Sequence, residues 1–353
     1  MHQTPAVLKI GNMHFTSRTP EQAMNDENFL MVEANFLDIS ASGNPDNALD
    51  LFVVYSFCEA IRDIIKSHPE SAAVVVCPQD DSLSALRNAC MLFGAYLLLC
   101  ADIGLEEVVI HSKGSLDLID ERERSGANSG PSQHCSTHIP DCWRALHQAS
   151  ALRWIGQKVR GGEDPTFDSE SAAHYAQPSN GSLRVLSPGK LLLFPTPSPL
   201  PDGQGWADES EGGGQPPARR FGAGFLAGLL ADLGVSAVAC LGRADAGDAA
   251  AFRASGLDVH GLGLDPRRPA LLPAMDRLLA VSRSAPGPVA LYYSDAAGRE
   301  GARAEASART LAAAWLMREW GFGAGAAAAW VRMALTESRP RAQGSVIDAE
   351  ARQ

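Results

Sequence analysis

The sequence lacks the blocks of charge or apolarity that mark nucleic-acid and membrane proteins. No cluster of Lys and Arg stands out in a chain whose formal net charge is -11, so we expect no surface that binds a phosphate backbone. No stretch reaches the roughly 20 apolar residues that cross a bilayer, and residues 1–17 contain no apolar signal core. These absences predict a cytoplasmic protein that binds neither nucleic acid nor membrane.

The cysteines form no disulfide framework. There are seven, an odd number at irregular spacings, and free thiols in apolar surroundings are typical of a reducing compartment. Those that lie inside apolar runs are Cys58, Cys77, Cys90 and Cys100.

A short His/Cys cluster is the one candidate for a metal site. Its members are His134, Cys135, His138 and Cys142. The spacing fits no common zinc motif, and two of the ligands would be adjacent in the chain. We therefore expect no bound metal, and nothing else in the sequence indicates a cofactor.

The composition predicts two globular domains. Hydrophobic residues make up 45% and charged residues 20% of 353 residues, which suits two cores of about 150 residues each. We predict a first domain over residues 1–150 with a loop insertion at 114–136. A connecting segment follows over 151–185, and a second domain spans 186–353 with a flexible loop at 195–217.

Periodicity predicts both helices and strands in the first domain. Apolar residues recur every three or four positions over residues 48–65, which indicates an amphipathic helix. Residues 72–77 form a β-branched run between prolines, typical of a buried strand. Residues 82–100 are almost wholly apolar, so this helix belongs inside the domain.

The second domain alternates short apolar runs with helical patterns. The predicted strands cover residues 237–241, 259–264 and 289–293, and helices lie between and after them. This alternation favours an α/β layer with a largely parallel sheet. Because ligands bind at the carboxyl ends of parallel strands, the segment after 289–293 is the place to expect a site.

That segment, LYYSDAAGREG at residues 291–301, resembles the phosphate-binding signature H-C-x5-R-[ST]-G of protein tyrosine and dual-specificity phosphatases. Gly298, Arg299 and Gly301 match the signature. The histidine, the nucleophilic cysteine and the Ser/Thr are replaced by Tyr292, Tyr293 and Glu300. The rest of the loop remnant is Ser294, Asp295, Ala296 and Ala297.

Other strings narrow the resemblance to the mitotic-exit (cell-division-cycle-fourteen) type of phosphatase. It covers roughly residues 6–350. The similar strings upstream of the loop are Phe93-Gly94-Ala95-Tyr96, Phe167-Asp168, His174-Tyr175, Asn180-Gly181 and Pro188-Gly189-Lys190. Downstream the helices around Trp315, Trp320 and Trp330 match as well, although these tryptophans are better explained as packing residues.

The resemblance implies two tandem dual-specificity-phosphatase-like domains, each a central sheet flanked by helices. Catalysis would lie in the second domain, and Ser/Thr-Pro phosphoproteins would bind in the groove between the two. Asp265 falls near the family's general acid, although a turn-forming role before Pro266 explains it equally well.

The substitutions predict that the chemistry fails. A phosphatase cysteine works as a thiolate of lowered pKa, whereas only about one phenol in a thousand is ionised at neutral pH. Glu300 accepts hydrogen bonds where the family's hydroxyl donates one, and Asp295 adds a second negative charge. An alternative use of the loop is structural, with Glu300 or Asp295 pairing with Arg299 to hold it shut.

Three hypotheses follow from the sequence. The leading one is a catalytically inactive phosphatase-like protein, a scaffold or structural subunit of a larger assembly, whose partners are other proteins. The resemblance alone suggests cytoskeletal or ciliary partners. The second is a phosphoprotein-binding module that retains Arg299, and the third an active phosphatase that uses Tyr293 or Asp265.

Overall fold

The protein divides into two compact units. The computed structural model describes residues 7–10, 13–17, 19, 29–33, 50–67, 73–126, 138–156, 167–201, 204–208, 219–242, 245–264, 270–293 and 299–335. The boundary lies between Asp164 and Pro165, and the second unit ends at Glu337. Each unit combines a β-sheet with helices, which confirms the α/β class.

The first unit contains a four-stranded sheet in the order β1-β2-β4-β3. Strand β1 is antiparallel to β2, while β2 and β3 both run parallel to β4. The strands are β1 (Val7–Ile10), β2 (Met13–Thr16), β3 (Phe29–Glu33) and β4 (Ala73–Cys77). The helices are α1 (Leu51–Ser67), α2 (Leu83–Leu99), α3 (Leu105–His111), α4 (Lys113–Gly126) and α5 (Ile139–Ala151).

Helix α2 is the centre of the first unit, as its apolar sequence predicts. It begins where the Ser82 hydroxyl accepts a hydrogen bond of 3.1 Å from the Ala85 amide. Every residue from Asn88 to Leu99 is buried. Helix α5 packs on it through Trp143, whose indole donates a 3.0 Å hydrogen bond to the Met91 carbonyl.

The predicted loop at 114–136 is wrong for residues 114–126, which belong to helix α4. Its apolar side is narrow, with Ile119 buried beside Ser115, so composition hid the helical period. Polar contacts also hold this helix to the rest of the unit. Glu123 pairs with Arg87 of α2, and Arg122 donates to the Asp81 carbonyl at 3.3 Å. Residues 127–137 lie outside the described part of the chain.

The second unit is built on a five-stranded sheet in the order β10-β9-β11-β6-β5. Only the β5–β6 pair is antiparallel. The strands of the unit are β5 (Arg184–Ser187), β6 (Leu191–Pro195), β7 (Trp206–Asp208), β8 (Arg219–Phe221), β9 (Ala237–Cys240), β10 (Asp258–Gly261) and β11 (Val289–Tyr293). The helices are α6 (Ser169–Ala176), α7 (Ala223–Asp232), α8 (Ala246–Ala254), α9 (Leu271–Ser284), α10 (Arg299–Trp320) and α11 (Ala324–Leu335).

Strand β11 occupies the middle of this sheet, between β9 and β6. Its residues from Val289 to Tyr292 are all buried, as expected for a strand covered on both faces. Trp315 and Trp330 are fully buried packing residues, as predicted. Their indole nitrogens donate to the Ser282 hydroxyl at 3.0 Å and to the Leu186 carbonyl at 2.8 Å, which ties α10 and α11 to the unit.

Two other segments differ from expectation. The predicted connecting segment 151–185 contains helix α6 and a 3-10 turn (Pro178–Asn180), both within the second unit. The predicted flexible loop 195–217 contains β7, which pairs antiparallel with β8. Three-residue strands carry too little periodicity to be detected in a sequence rich in Gly and Pro. Residues 209–217 lie outside the described part.

The described part of the chain contains no disulfide, and the cysteines found there are free thiols. No helix among the described residues has the length and apolarity to cross a bilayer.

The contact of Gly94 with Trp143 gives a test of the first unit. A Cβ at position 94 would overlap the Trp143 indole, so Gly94→Ala should destabilise the unit by about 2–3 kcal/mol through overpacking. Gly104, whose Cβ would meet nothing within 4 Å, is the control and should cost less than about 1 kcal/mol as Ala. Denaturant unfolding measures both, and equal effects would contradict the packing argument.

Candidate functional site

The strand-to-helix junction predicted from the motif is present in the second unit. Strand β11 ends at Tyr293, whose backbone pairs in register with Pro195 of β6. Helix α10 begins at Arg299. The first amides of a helix carry partial positive charge and attract anions. The junction therefore lies at the carboxyl edge of the sheet, where an α/β fold places its ligand site.

Tyr292 is a core residue, and its buried side chain is not available to bind a phosphate. Its side chain is 4% exposed and packs against Phe194 of β6 and Phe252 of α8, with ring centroids 5.4 Å and 6.1 Å away. Phe194 and Phe252 also meet edge to face at 6.1 Å. The three rings form an aromatic cluster directly beneath the end of β11, at the position where the signature has its histidine.

The Tyr292 hydroxyl is buried without a satisfactory hydrogen bond among the described residues. The Cys240 thiol interacts with it, but a thiol is a weak partner. Burial raises the pKa of the Tyr292 phenol, and the neighbouring Cys240, Asp248 and Asp245 raise it further. The phenol is therefore neutral at neutral pH and supplies neither a base nor a charge.

Two carboxylates that the sequence analysis missed lie beside this cluster. Asp245 caps helix α8 by accepting hydrogen bonds from the amides of Gly247 at 2.8 Å and Asp248 at 3.4 Å. Burial, followed by the charge of Asp245, raises the pKa of the Asp248 carboxyl. The Asp-x-x-Asp spacing at a helix start was a detectable capping signal. Negative charge at this edge opposes the binding of a phosphate.

The remaining site predictions fall at the margin of the described structure. Four of the predicted residues have a place in the described backbone: Tyr293 ends β11, and Arg299, Glu300 and Gly301 begin α10. Outside the described residues lie Asp265 and the loop positions Ser294, Asp295, Ala296, Ala297 and Gly298. Before Asp265, the amide of Leu264 donates to the Leu241 carbonyl at 2.7 Å, so the chain approaches that position along the end of β9.

Among the described residues, no three His, Cys, Asp or Glu side chains converge as metal ligands. Of the His/Cys cluster considered above, His138 is exposed just before α5 and Cys142 is buried within that helix. His134 and Cys135 lie outside the described part.

The strings that carried the resemblance upstream have structural roles. Asp168 caps α6 by accepting hydrogen bonds of 3.1 Å from the amides of Glu170 and Ser171. The Asn180 side-chain amide donates to the His174 carbonyl at 2.9 Å. Gly181 has a φ of 122°, a conformation that side chains with a Cβ rarely adopt. Asp168 thus stabilises the start of α6, and Asn180 and Gly181 end this region and lead the chain into β5.

Truncation of Tyr292 tests whether packing or polarity dominates at the junction. Tyr292→Phe removes an unsatisfied hydroxyl and should leave the free energy of unfolding unchanged or raise it by up to about 1 kcal/mol. Tyr292→Ala deletes the ring and should cost about 3–5 kcal/mol. Denaturant unfolding distinguishes them, and a loss of more than about 2 kcal/mol in Tyr292→Phe would show that the hydroxyl has a partner.

Comparison with known proteins agrees with the motif. No protein-family model matches the chain. The tyrosine-protein phosphatase cdc-14 of Caenorhabditis elegans is 25% identical over 309 residues, which are 84% of this chain and 38% of that protein. The dual specificity protein phosphatase CDC14AB of Danio rerio is 25% identical over 289 residues, or 81% of this chain and 42% of that protein.

The chain thus spans about two fifths of the length of these curated relatives. Among solved structures, the crystal structure of Tk-PTP in the active form is 16% identical, with a TM-score of 0.27 and coverage of 43% of this chain and 84% of that one, a likeness too slight to add to the argument. The similarity in sequence, which extends over both units, makes the chain a distant relative of the cdc-14-type dual-specificity phosphatases.

Proposed function

We propose that the protein is a catalytically inactive relative of these phosphatases, two tandem phosphatase-like domains that act as a scaffold or structural subunit of a larger protein assembly. The observation that carries the proposal is the aromatic cluster of Tyr292, Phe194 and Phe252 beneath the end of β11. It occupies the position where the phosphatase signature has a polar histidine, immediately before Tyr293.

The nucleophile is the first element that fails. Tyr293 ends β11 in register with Pro195, the position at which the signature has cysteine. An ordinary phenol titrates near 10, against about 8.5 for an ordinary thiol, and phosphatase thiols are lowered further. A phenol at this position lacks the ionised form that attack on phosphorus requires.

The negative charge at the carboxyl edge of the sheet is the second feature that opposes phosphatase chemistry. Asp245 and Asp248 lie close enough to Tyr292 to raise the pKa of its phenol, and the first turn of α10 contains Glu300. One pair of unit charges about 5 Å apart is worth roughly 3 kcal/mol at an effective dielectric near 20. The repulsion between these three carboxylates and a phosphate offsets the attraction of the phosphate to Arg299 and to the helix amides.

A phosphatase assay tests the loss of activity. We expect that an aryl phosphate and Ser/Thr-Pro phosphopeptides are hydrolysed no faster than in buffer without the protein, because position 293 has a phenol in place of a thiolate. Arg299→Ala should leave that background unchanged. The matched control is Arg309→Ala on the same helix, where Arg309 pairs with Glu305 at 2.6 Å.

Turnover that Arg299→Ala abolishes and Arg309→Ala preserves would overturn the proposal. Turnover that neither variant affects comes from a contaminating phosphatase and leaves the proposal standing.

A phosphoprotein-binding module is the second candidate, favoured by the position of Arg299 as the first residue of α10. A helix start with an arginine is a common anion site. Calorimetry with paired phosphorylated and unphosphorylated Ser/Thr-Pro peptides separates the two functions. The scaffold predicts no phosphate-dependent affinity tighter than about 1 mM. A phosphopeptide bound at least tenfold more tightly than its unphosphorylated twin, and lost in Arg299→Ala, would establish the binding module instead.

The partners of the scaffold are proteins, and we propose that they belong to a cytoplasmic, cytoskeletal or ciliary assembly. Support for that location comes only from the relationship to the cdc-14-type phosphatases. Crosslinking of the native protein followed by mass spectrometry identifies both the partners and the residues in contact with them. Crosslinks confined to surfaces away from the β11–α10 junction would fit a scaffold whose ancestral site is unused.

A further inference from the structure

From the last residue of β6 onward, proline occurs at every second position. The prolines are Pro195, Pro197, Pro199 and Pro201. Residues 196–201 form neither helix nor strand, and proline fixes φ near the extended polyproline value. One backbone hydrogen bond ties the middle of the segment to the unit, from the Ser198 amide to the Phe221 carbonyl of β8 at 2.8 Å. The segment is extended and partly exposed, with Pro199 and Pro201 its exposed residues.

The segment contains an accessible Ser-Pro pair. Ser198 is half-buried, and the next residue, Pro199, is exposed. Thr196 precedes a proline that is buried. Elsewhere in the described chain, Ser187 before Pro188 is 0% exposed and Thr19 is 9% exposed. Among the described residues, an enzyme that recognises serine together with the following proline therefore finds both groups within reach only at Ser198.

An arginine pair lies beside this serine. The hydrogen bond between Ser198 and Phe221 puts Ser198 next to Arg220 and Arg219, the two preceding residues of β8. Arg219 binds the Asp208 carboxylate at 2.8 Å and stacks over the Trp206 ring at 4.2 Å from its centroid. Arg220 is exposed. Successive strand residues point to opposite faces, so the two guanidinium groups offer a phosphate on Ser198 nearby positive charge rather than one bidentate fork.

We propose that Ser198 is a phosphorylation site for a proline-directed Ser/Thr kinase and that the positive charge of Arg219 and Arg220 stabilises the phosphate. The Ser198 oxygen attacks the γ-phosphorus of ATP, the bond to the β-phosphate oxygen breaks, ADP leaves, and the hydroxyl proton passes to the kinase's base. The modified serine lies three residues beyond Pro195, the register partner of Tyr293. The inference is independent of whether the β11–α10 junction is catalytic.

The first experiment treats the full chain with a proline-directed kinase and Mg-ATP and maps phosphate by peptide mass spectrometry. We expect phosphate on Ser198, lost in Ser198→Ala and retained in Ser187→Ala, the control for a Ser-Pro pair whose serine is buried. Absence of phosphate on Ser198, or modification of Thr196 in its place, would refute the site.

The second experiment tests the receptor by phosphorus NMR of the phosphorylated chain across pH. A free phosphoserine loses its second proton near pH 6, and adjacent arginines favour the dianion and lower that pKa. We expect a midpoint lower by about half a unit to one unit, which Arg219→Gln and Arg220→Gln each move back toward the free value. Arg253→Gln on α8 is the exposed control and should leave the midpoint in place.

A midpoint at the free value in the unsubstituted chain would show that the phosphate has no receptor. So would a lowered midpoint that neither arginine variant changes. If an arginine variant fails to fold, the midpoint of the unsubstituted chain against a phosphorylated peptide of residues 193–203 still decides the question.

Discussion

The burial of Tyr292 against Phe194 and Phe252 is the contact on which the candidate site depends. A buried aromatic ring removes about 150–250 Å² from water, which contributes roughly 4–6 kcal/mol at 25 cal/mol per Å². The hydroxyl, which has only the weak Cys240 thiol beside it, costs up to about 1 kcal/mol. Packing therefore exceeds the polar penalty, and the ring holds β11 to β6 and α8. That register places the backbone of Tyr293 and the start of α10 at the carboxyl edge of the sheet.

The likeness to phosphatases and the departures from them lie in residues of different kinds. Asp168, Asn180 and Gly181 cap a helix or turn the chain, and Gly94 makes room for an indole. Such positions are dictated by backbone geometry and packing, so they report the fold. Tyr292, by contrast, replaces a polar group with a ring. This division underlies the proposal that the chain retains an architecture without retaining its chemistry.

The elements that the sequence predicted well are those with a long, continuous apolar run. Strand β11 and helix α2 are runs of buried apolar residues, and their bounds differ from expectation by at most one residue. Helix α4 was missed because its buried side is narrow and its ties, such as Glu123 to Arg87, are long-range. The place of the junction between β11 and α10 was predictable from the motif. The position of Asp248 was not, because adjacency between β9, α8 and β11 arises only from strand order.

Two charged places in the second unit border the same apolar cluster. Phe221 of β8 and Tyr292 of β11 belong to the same buried cluster, together with Phe194 and Phe252. Asp245 and Asp248 lie near Tyr292, and Arg219 and Arg220 precede Phe221 in β8. We therefore expect an anion to bind more readily at the β7–β8 pair than beside Tyr292. Because a densely packed interior transmits strain, the proposed phosphorylation of Ser198, whose amide binds the Phe221 carbonyl, would act on the core beneath the β11–α10 junction.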